Sequence, residues 1–414
     1  MPIFSFIRAN AGFLLAGFLL AYLSSFGQTF FISTFAGEIR ADFGLSHGQW
    51  GAIYGSATTV SAGFMLWSGG LTDKFRVRAL GAWVMGGLVL ACLFMAVASA
   101  VWALVIAIFV LRFMGQGMMS HMSGVAMARW FVASRGRALA IAALGFSAGE
   151  ASLPVTFVAA KQVLDWRMLW VVAALVVTVA APLLLILLRA ERTPQSMAQE
   201  SHSVGMKGRH WTRGQALRHP LFWLLFPALM GPGAFGTAFF FQQVHLAEVK
   251  GWSHVALVAI FPFYSGATVV AMLGSGWAVD RFGPARLMPL YQLPAAAFFL
   301  FMGGVQSLAV AAPLLILLGL TSGAGATVPT AFWAEFFGSR HLGSIRATAA
   351  AAMVLGSAIG PWLTGFLIDR GMPYPQQMIF MAAYFGLASV LVWVGVRRAR
   401  RDLPPATQVD VERP

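Results

Sequence analysis

Two ionisable side chains, Arg112 and Glu150, stand inside stretches of chain that are otherwise apolar. A charge at the centre of a membrane-spanning helix costs about 3 kcal/mol on insertion scales, so such residues survive where they line a wet cavity or pair with one another. Their types suggest chemistry. A guanidinium is a planar fork of donors that matches a carboxylate and keeps its charge. A carboxyl group can take up and release one proton. At 1.5 Å per residue Arg112 lies roughly 17 Å into its segment from one side, and Glu150 roughly 20 Å into the next segment from the other. Both therefore fall near the middle of a hydrocarbon core about 30 Å thick. Two arrangements follow. In one, an ion pair pins the two helices together. In the other, Arg112 binds an anion and thereby releases Glu150 to take a proton, which couples the two events.

The elements that must hold these residues are read from composition. The chain has 414 residues, 59% hydrophobic and 10% charged, with 44 Gly and 19 Pro. A soluble protein of this size would expose far more charge. Apolar runs long enough to cross a bilayer recur at 11–33, 48–69, 79–98, 101–124, 137–160, 167–189, 219–246, 253–276, 286–306, 309–333, 344–368 and 375–396. These are numbered here as segments 1 to 12. Segment 1 is too long for a cleaved leader and reads as a first helix. The fold class is thus all-α and membrane-embedded, with twelve transmembrane helices. The polar stretch 190–218 divides the chain into an N-terminal six-helix half (1–189) and a C-terminal one (219–396). A short polar tail, 397–414, follows.

The net charge of +14 resolves once its sources are placed. Arg40, Lys161, Arg167, Lys250 and Arg370 fall on one side. Apart from Arg112, the rest of the 28 Lys and Arg fall on the other, including Lys74, Arg76, Arg78, Arg397 and Arg398. This asymmetry puts both termini in the cytoplasm, as expected for a multi-pass protein of a bacterial inner membrane. The basic clusters then contact anionic lipid rather than nucleic acid. The single Cys92 lies in an apolar run and builds no disulfide framework.

An internal repeat supports the two halves. Gly69-Gly70-Leu71-Thr72-Asp73-Lys74-Phe75 follows segment 2, and Gly276-Trp277-Ala278-Val279-Asp280-Arg281-Phe282 follows segment 8, 207 positions later. Gly365-Phe366-Leu367-Ile368-Asp369-Arg370 echoes it on the outer side. The glycine admits a neighbouring helix. The aspartate can cap a helix N-terminus or pair with a basic residue. Gly69, Asp73, Lys74, Gly276, Asp280 and Arg281 are accordingly expected to form a cytoplasmic gate.

The repeated signature, together with Arg112-Phe113-Met114-Gly115-Gln116-Gly117 in segment 4 and Asp165-Trp166-Arg167 before segment 6, resembles the major facilitator superfamily over about residues 10–396. The resemblance implies secondary transport by alternating access around a midplane site. The stretch from Trp130-Phe131 through Arg135-Gly136-Arg137-Ala138-Leu139-Ala140 is similar to the approach to segment 5 in monocarboxylate–proton symporters. Two departures stand out. Drug–proton antiporters of the superfamily have Gly-Pro where this chain has Gly149-Glu150. The acid–arginine pair that the symporters carry in segment 8 has no counterpart here.

The expected function is proton-coupled transport of a small organic anion by a monomer. Its rival is proton-driven efflux of amphiphilic or cationic compounds, with Glu150 attracting the cation. Arg112, Gln28, Tyr54, Gln116, Tyr264 and Thr321 are the candidate substrate contacts, and Glu150 is the proton site. His121, Gln242, Gln243, His245 and Ser322 are further polar positions; interfacial water suffices for Gln242, Gln243 and His245 near the outer end of segment 7. Gly231-Pro232-Gly233 and Pro262 suggest helix breaks, and Gly356-x-x-x-Gly360 suggests tight helix packing. No phosphate-binding Gly-Lys-Ser/Thr loop and no cluster with metal-ligand spacing is present, so neither an enzyme nor a cofactor is expected.

Overall fold

The computed structural model describes residues 3–68, 71–131, 135–189, 204–338 and 341–403, and every regular element among them is helical. Among the described residues nine helices are long and apolar enough to cross a membrane. The pair Ala11–Gly27 and Thr29–Phe43, bent by 46°, makes a tenth if counted as one span. Two expected spans differ from this pattern. The helix His47–Ser68 has the length, but Gly, Ser and Thr dilute its hydropathy. Residues 286–306 give only the shorter apolar helix Leu293–Met302.

Helix packing follows glycine spacing. Gly48, Gly51 and Gly55 share one face of His47–Ser68, and a Cβ on any of them would meet Asp369 and Phe366, Pro361 and Trp362, or Ala358 of the helix Leu342–Asp369. Gly145 and Gly149 set the helix Arg135–Ala160 against the backbone of Phe18 and the side chain of Ser25. Gly356 and Gly360 set Leu342–Asp369 against Met230 and Ala234, the tight packing expected of them. Removing the side chain lets backbones approach, the principal packing device between helices in lipid.

Three helices lose regular geometry at mid-length. The first stops at Gly27, and Gln28 is extended (φ −88°, ψ 156°) before Thr29 restarts it. The helix Val101–Leu111 passes into a π-helical stretch, Arg112–Met119, before Ser120–Trp130. The helix Pro220–Gly231 does the same over Pro232–Gly236, the region expected to break. Pro262 instead sits in the first turn of Phe261–Phe282, where its missing N–H costs nothing.

The parts before residue 190 and after residue 203 meet mainly at one end, the end that the charge asymmetry places outside. There Gln243 donates to Phe30 O (3.2 Å) and Ser33 Oγ (2.7 Å), and Phe241 stacks on Trp50. Gln242 and Gln243 are buried in this seam, with Gln242 donating to Thr364 Oγ1, so protein rather than interfacial water satisfies them. At the opposite end Gly63, Gly124, Gly274 and Gly276 have no neighbour within 4 Å of a built Cβ.

Candidate functional site

The site is built where the first helix breaks against the π-helical stretch. Gly27 and Gly115 touch backbone to backbone; a Cβ on either would clash with the other helix. Ending the helix at Gly27 leaves carbonyls without intrahelical donors. Arg112, the first residue of the π stretch, supplies one: its Nη1 donates to Gly27 O (3.1 Å) and Thr29 Oγ1 (3.4 Å). Its guanidinium carbon lies 5.2 Å from the centroid of the Tyr54 ring, a cation–π contact. Tyr54 is fixed in turn by a 2.5 Å hydrogen bond between its hydroxyl and Thr29 Oγ1 and by contact with Phe241.

Arg112 is only 1% exposed, and among the described residues its Nε and Nη2 have no hydrogen-bond partner. Leaving a buried donor unmatched is costly, more so for a charged group. A π-helical bulge combined with unmatched charged donors is a frequent mark of a functional position.

Glu150, 3% exposed, does not meet Arg112: no ion pair joins them. Its Oε2 accepts from Ser265 Oγ (3.2 Å), on the helix Phe261–Phe282 beyond the linker. Tyr264 lies within electrostatic reach of Glu150 and donates its hydroxyl to Ser322 Oγ (2.9 Å). The static Arg112–Glu150 pair is therefore not formed. The cause is local geometry: the helix break turns the guanidinium toward Gly27, and Gly149 seats the neighbouring helix on Ser25 with the next residue facing Ser265.

The other expected positions divide. Gln28 and Tyr54 are buried beside Arg112, on and against the helix break. Gln116 is half-buried one turn beyond Arg112. Thr321 is buried and its hydroxyl accepts from Ala295 N (2.9 Å), a bond between neighbouring helices. His121 lies 3.4 Å from Thr72 Oγ1, in keeping with an interhelical hydrogen bond. Of the expected gate, Gly69 and the side chains of Asp73 and Lys74 lie outside the described residues, while Asp280 and Arg281 are exposed. Among the described residues no group of His, Cys, Asp and Glu could hold a metal ion. Thr29 and Ser265 are the two contacts that sequence reasoning missed; both are small hydroxyl residues in apolar runs, and neither type nor spacing marks them.

The profile of the Major Facilitator Superfamily matches residues 17–302 and 259–412. The chain belongs to that superfamily. Its fold is that of superfamily transporters of known structure. A bacterial homolog of the human lysosomal transporter Spinster, solved in an inward-facing and unoccupied conformation, superposes with a TM-score of 0.73 over 98% of this chain and 99% of that one, at 16% identity. The nucleoside transporter NupG, in a mutant form, gives 0.68 over 94% and 99%, at 13% identity. In sequence, this superfamily member is 28% identical over 142 residues to the 4-hydroxybenzoate transporter PcaK of Pseudomonas putida. That match covers 33% of this chain and 30% of PcaK. The chain itself is a multi-pass membrane protein of a transporter superfamily, not of an enzyme family.

Proposed function

We propose that the protein is a proton-coupled secondary transporter of a small organic acid, working by alternating access in a bacterial inner membrane. The unmatched Nε and Nη2 of Arg112 carry this reading. Two adjacent guanidinium donors are the complement of a carboxylate, and binding one would neutralise the buried charge and satisfy its open donors together. The partial likeness to a 4-hydroxybenzoate transporter supports a carboxylate substrate, and the Tyr54 ring against Arg112, itself packed on Phe241, suits an aromatic one. Glu150 is the proton site: of the two intramembrane charges it alone can change its charge by binding a proton, and its partner Ser265 lies across the seam. Asp73, Lys74, Asp280 and Arg281 form the cytoplasmic gate, with the basic loops against anionic lipid. Efflux of a cation fits less well, because Arg112 would repel it from the same midplane.

The test is uptake of a panel of radiolabelled carboxylates, 4-hydroxybenzoate included, by purified protein in proteoliposomes. Arg112→Gln should lower kcat/KM for the best substrate by about 100-fold, the loss expected from charge-assisted hydrogen bonds in a dry site. Arg112→Lys should recover little, because an ammonium lacks the fork. Unchanged carboxylate affinity in Arg112→Gln would overturn the assignment.

A further inference from the structure

The loop signature occurs three times, and its third copy is engaged. Asp369 ends the helix Leu342–Asp369, and its carboxylate reaches across the seam to the first residues of His47–Ser68. Oδ1 accepts from His47 N (3.0 Å), and Oδ2 accepts from Gly48 N (2.8 Å) and Ser46 Oγ (2.7 Å). These N–H groups are among those that a helix start leaves without intrahelical partners, and the positive end of the helix dipole lies there too. The approach depends on glycine at both sides. A Cβ on Gly48 would meet Asp369 Oδ2 at 2.6 Å, and one on Gly365 would clash with His47 O. Beside this contact the rings of His47 and His245, one from each part of the chain, meet edge-on at 4.6 Å. Arg40 lies in electrostatic reach of both Asp369 and Glu248.

At the other end the second copy makes no such contact among the described residues. Gly276 has nothing within 4 Å of a built Cβ, and Asp280 and Arg281 are exposed. Among the described residues the third copy is thus in contact at the end where the two parts meet, and the second makes no contact across the opposite end.

We propose that Asp369 is the latch of the closed end, a positioning residue whose bonds to Ser46, His47 and Gly48 must break each time that end opens. The inference rests on the alternating-access reading. It assigns the third copy of the signature the work that the first two are expected to do at the opposite end. Losing the carboxylate removes three charge-assisted bonds and places an amide N–H against backbone N–H donors in the asparagine variant. The closed end is then less favoured relative to the open one, with no direct effect on Arg112 or Glu150.

The experiment uses spin labels on Ala41→Cys and Gln376→Cys, two exposed positions on opposite sides of the seam, in substrate-free protein in nanodiscs. The one native cysteine, Cys92, is buried. Pulsed dipolar spectroscopy reads the separation. The expected result is a longer-distance population that grows about tenfold relative to the short one in Asp369→Asn, the change given by one charge-assisted bond of net worth. Ser46→Ala should move the ratio the same way but less. A latch leaves the melting temperature of the purified protein within error of the parent, whereas a merely structural role lowers it and broadens both distances. Two populations in the parent with an unchanged ratio in Asp369→Asn would overturn the latch and leave alternating access standing. A single short distance in every variant, with a carboxylate present or absent, would overturn both.

Discussion

The helices Arg135–Ala160 and Leu342–Asp369 solve the same packing problem and end with different chemistry. Each carries a glycine pair four residues apart, Gly145 and Gly149 in one, Gly356 and Gly360 in the other. Each pair seats its helix on the interrupted helix of its own part of the chain: Phe18 and Ser25 before the break at Gly27, Met230 and Ala234 at the break over Pro232–Gly236. The residue after the second glycine is Glu150 in the first case and Pro361 in the second. Arg112 likewise begins the π-helical stretch before the linker, while Gly319, 207 positions on, packs against the backbone of Tyr264. The framework is duplicated and the charge is not. A feature present in both copies is accounted for by packing, and one present in a single copy has to be explained by what it does.

The largest expected effect breaks the shared framework. Gly149→Leu and Gly360→Leu each drive a side chain into backbone or a buried side chain, where nothing flexible can yield enough. Both should give little or no monodisperse protein on size exclusion, and to the same degree. If one leucine variant folds and the other does not, the two packings are not equivalent. Next in size is the loss at Arg112 set out above, a residue that has no counterpart in the other part of the chain.

Glu150→Gln separates the two charges from each other. The glutamine oxygen can still accept from Ser265 Oγ, so the protein should fold and exchange labelled for unlabelled substrate across the membrane at near-parent rate. Accumulation driven by a pH gradient should vanish, because the amide cannot carry the proton. Retained pH-driven accumulation would remove Glu150 from coupling and leave Arg112 as the whole of the functional asymmetry.

What could be read from the chain, and what could not, follows the same division. The apolar runs, the glycine pair at Gly356 and Gly360 and the two intramembrane charges are all matters of composition and spacing, and they were legible. The failure of Arg112 and Glu150 to meet was not. Depth along each helix was estimated correctly enough to put them level, but their facing depends on the break at Gly27 and on a π-helical turn, which shifts the register by a fraction of a turn. The partners are no more visible. Thr29 and Ser265 differ in no local way from Thr59 or Ser152, whose hydroxyls bond their own helix four residues back. Gln242 and Gln243 sat near the end of an apolar run, where water was the economical explanation. Only the meeting of the two parts of the chain shows that Phe30 and Ser33 replace it for Gln243 and Thr364 for Gln242.

The smallest expected effect tests whether the uncharged part takes any share in coupling. Among the described residues Ser265 is the contact through which Phe261–Phe282 hydrogen-bonds a midplane charge of the other part, and its hydroxyl is the donor. Ser265→Ala removes that donor and little volume. The carboxyl of Glu150 keeps its place beside Tyr264, so substrate affinity should not change. If the bond helps hold the parts together at mid-depth, pH-driven uptake should slow by about threefold to tenfold, the worth of a single hydrogen bond to an ionisable group. The combination with Glu150→Ala, which removes the acceptor, gives the sharper answer. Residues that act through one contact are not additive, so the double variant should be no slower in exchange than Glu150→Ala alone. Independent losses that multiply would mean that Ser265 acts elsewhere, and that the coupling device is confined to the part of the chain that carries both charges.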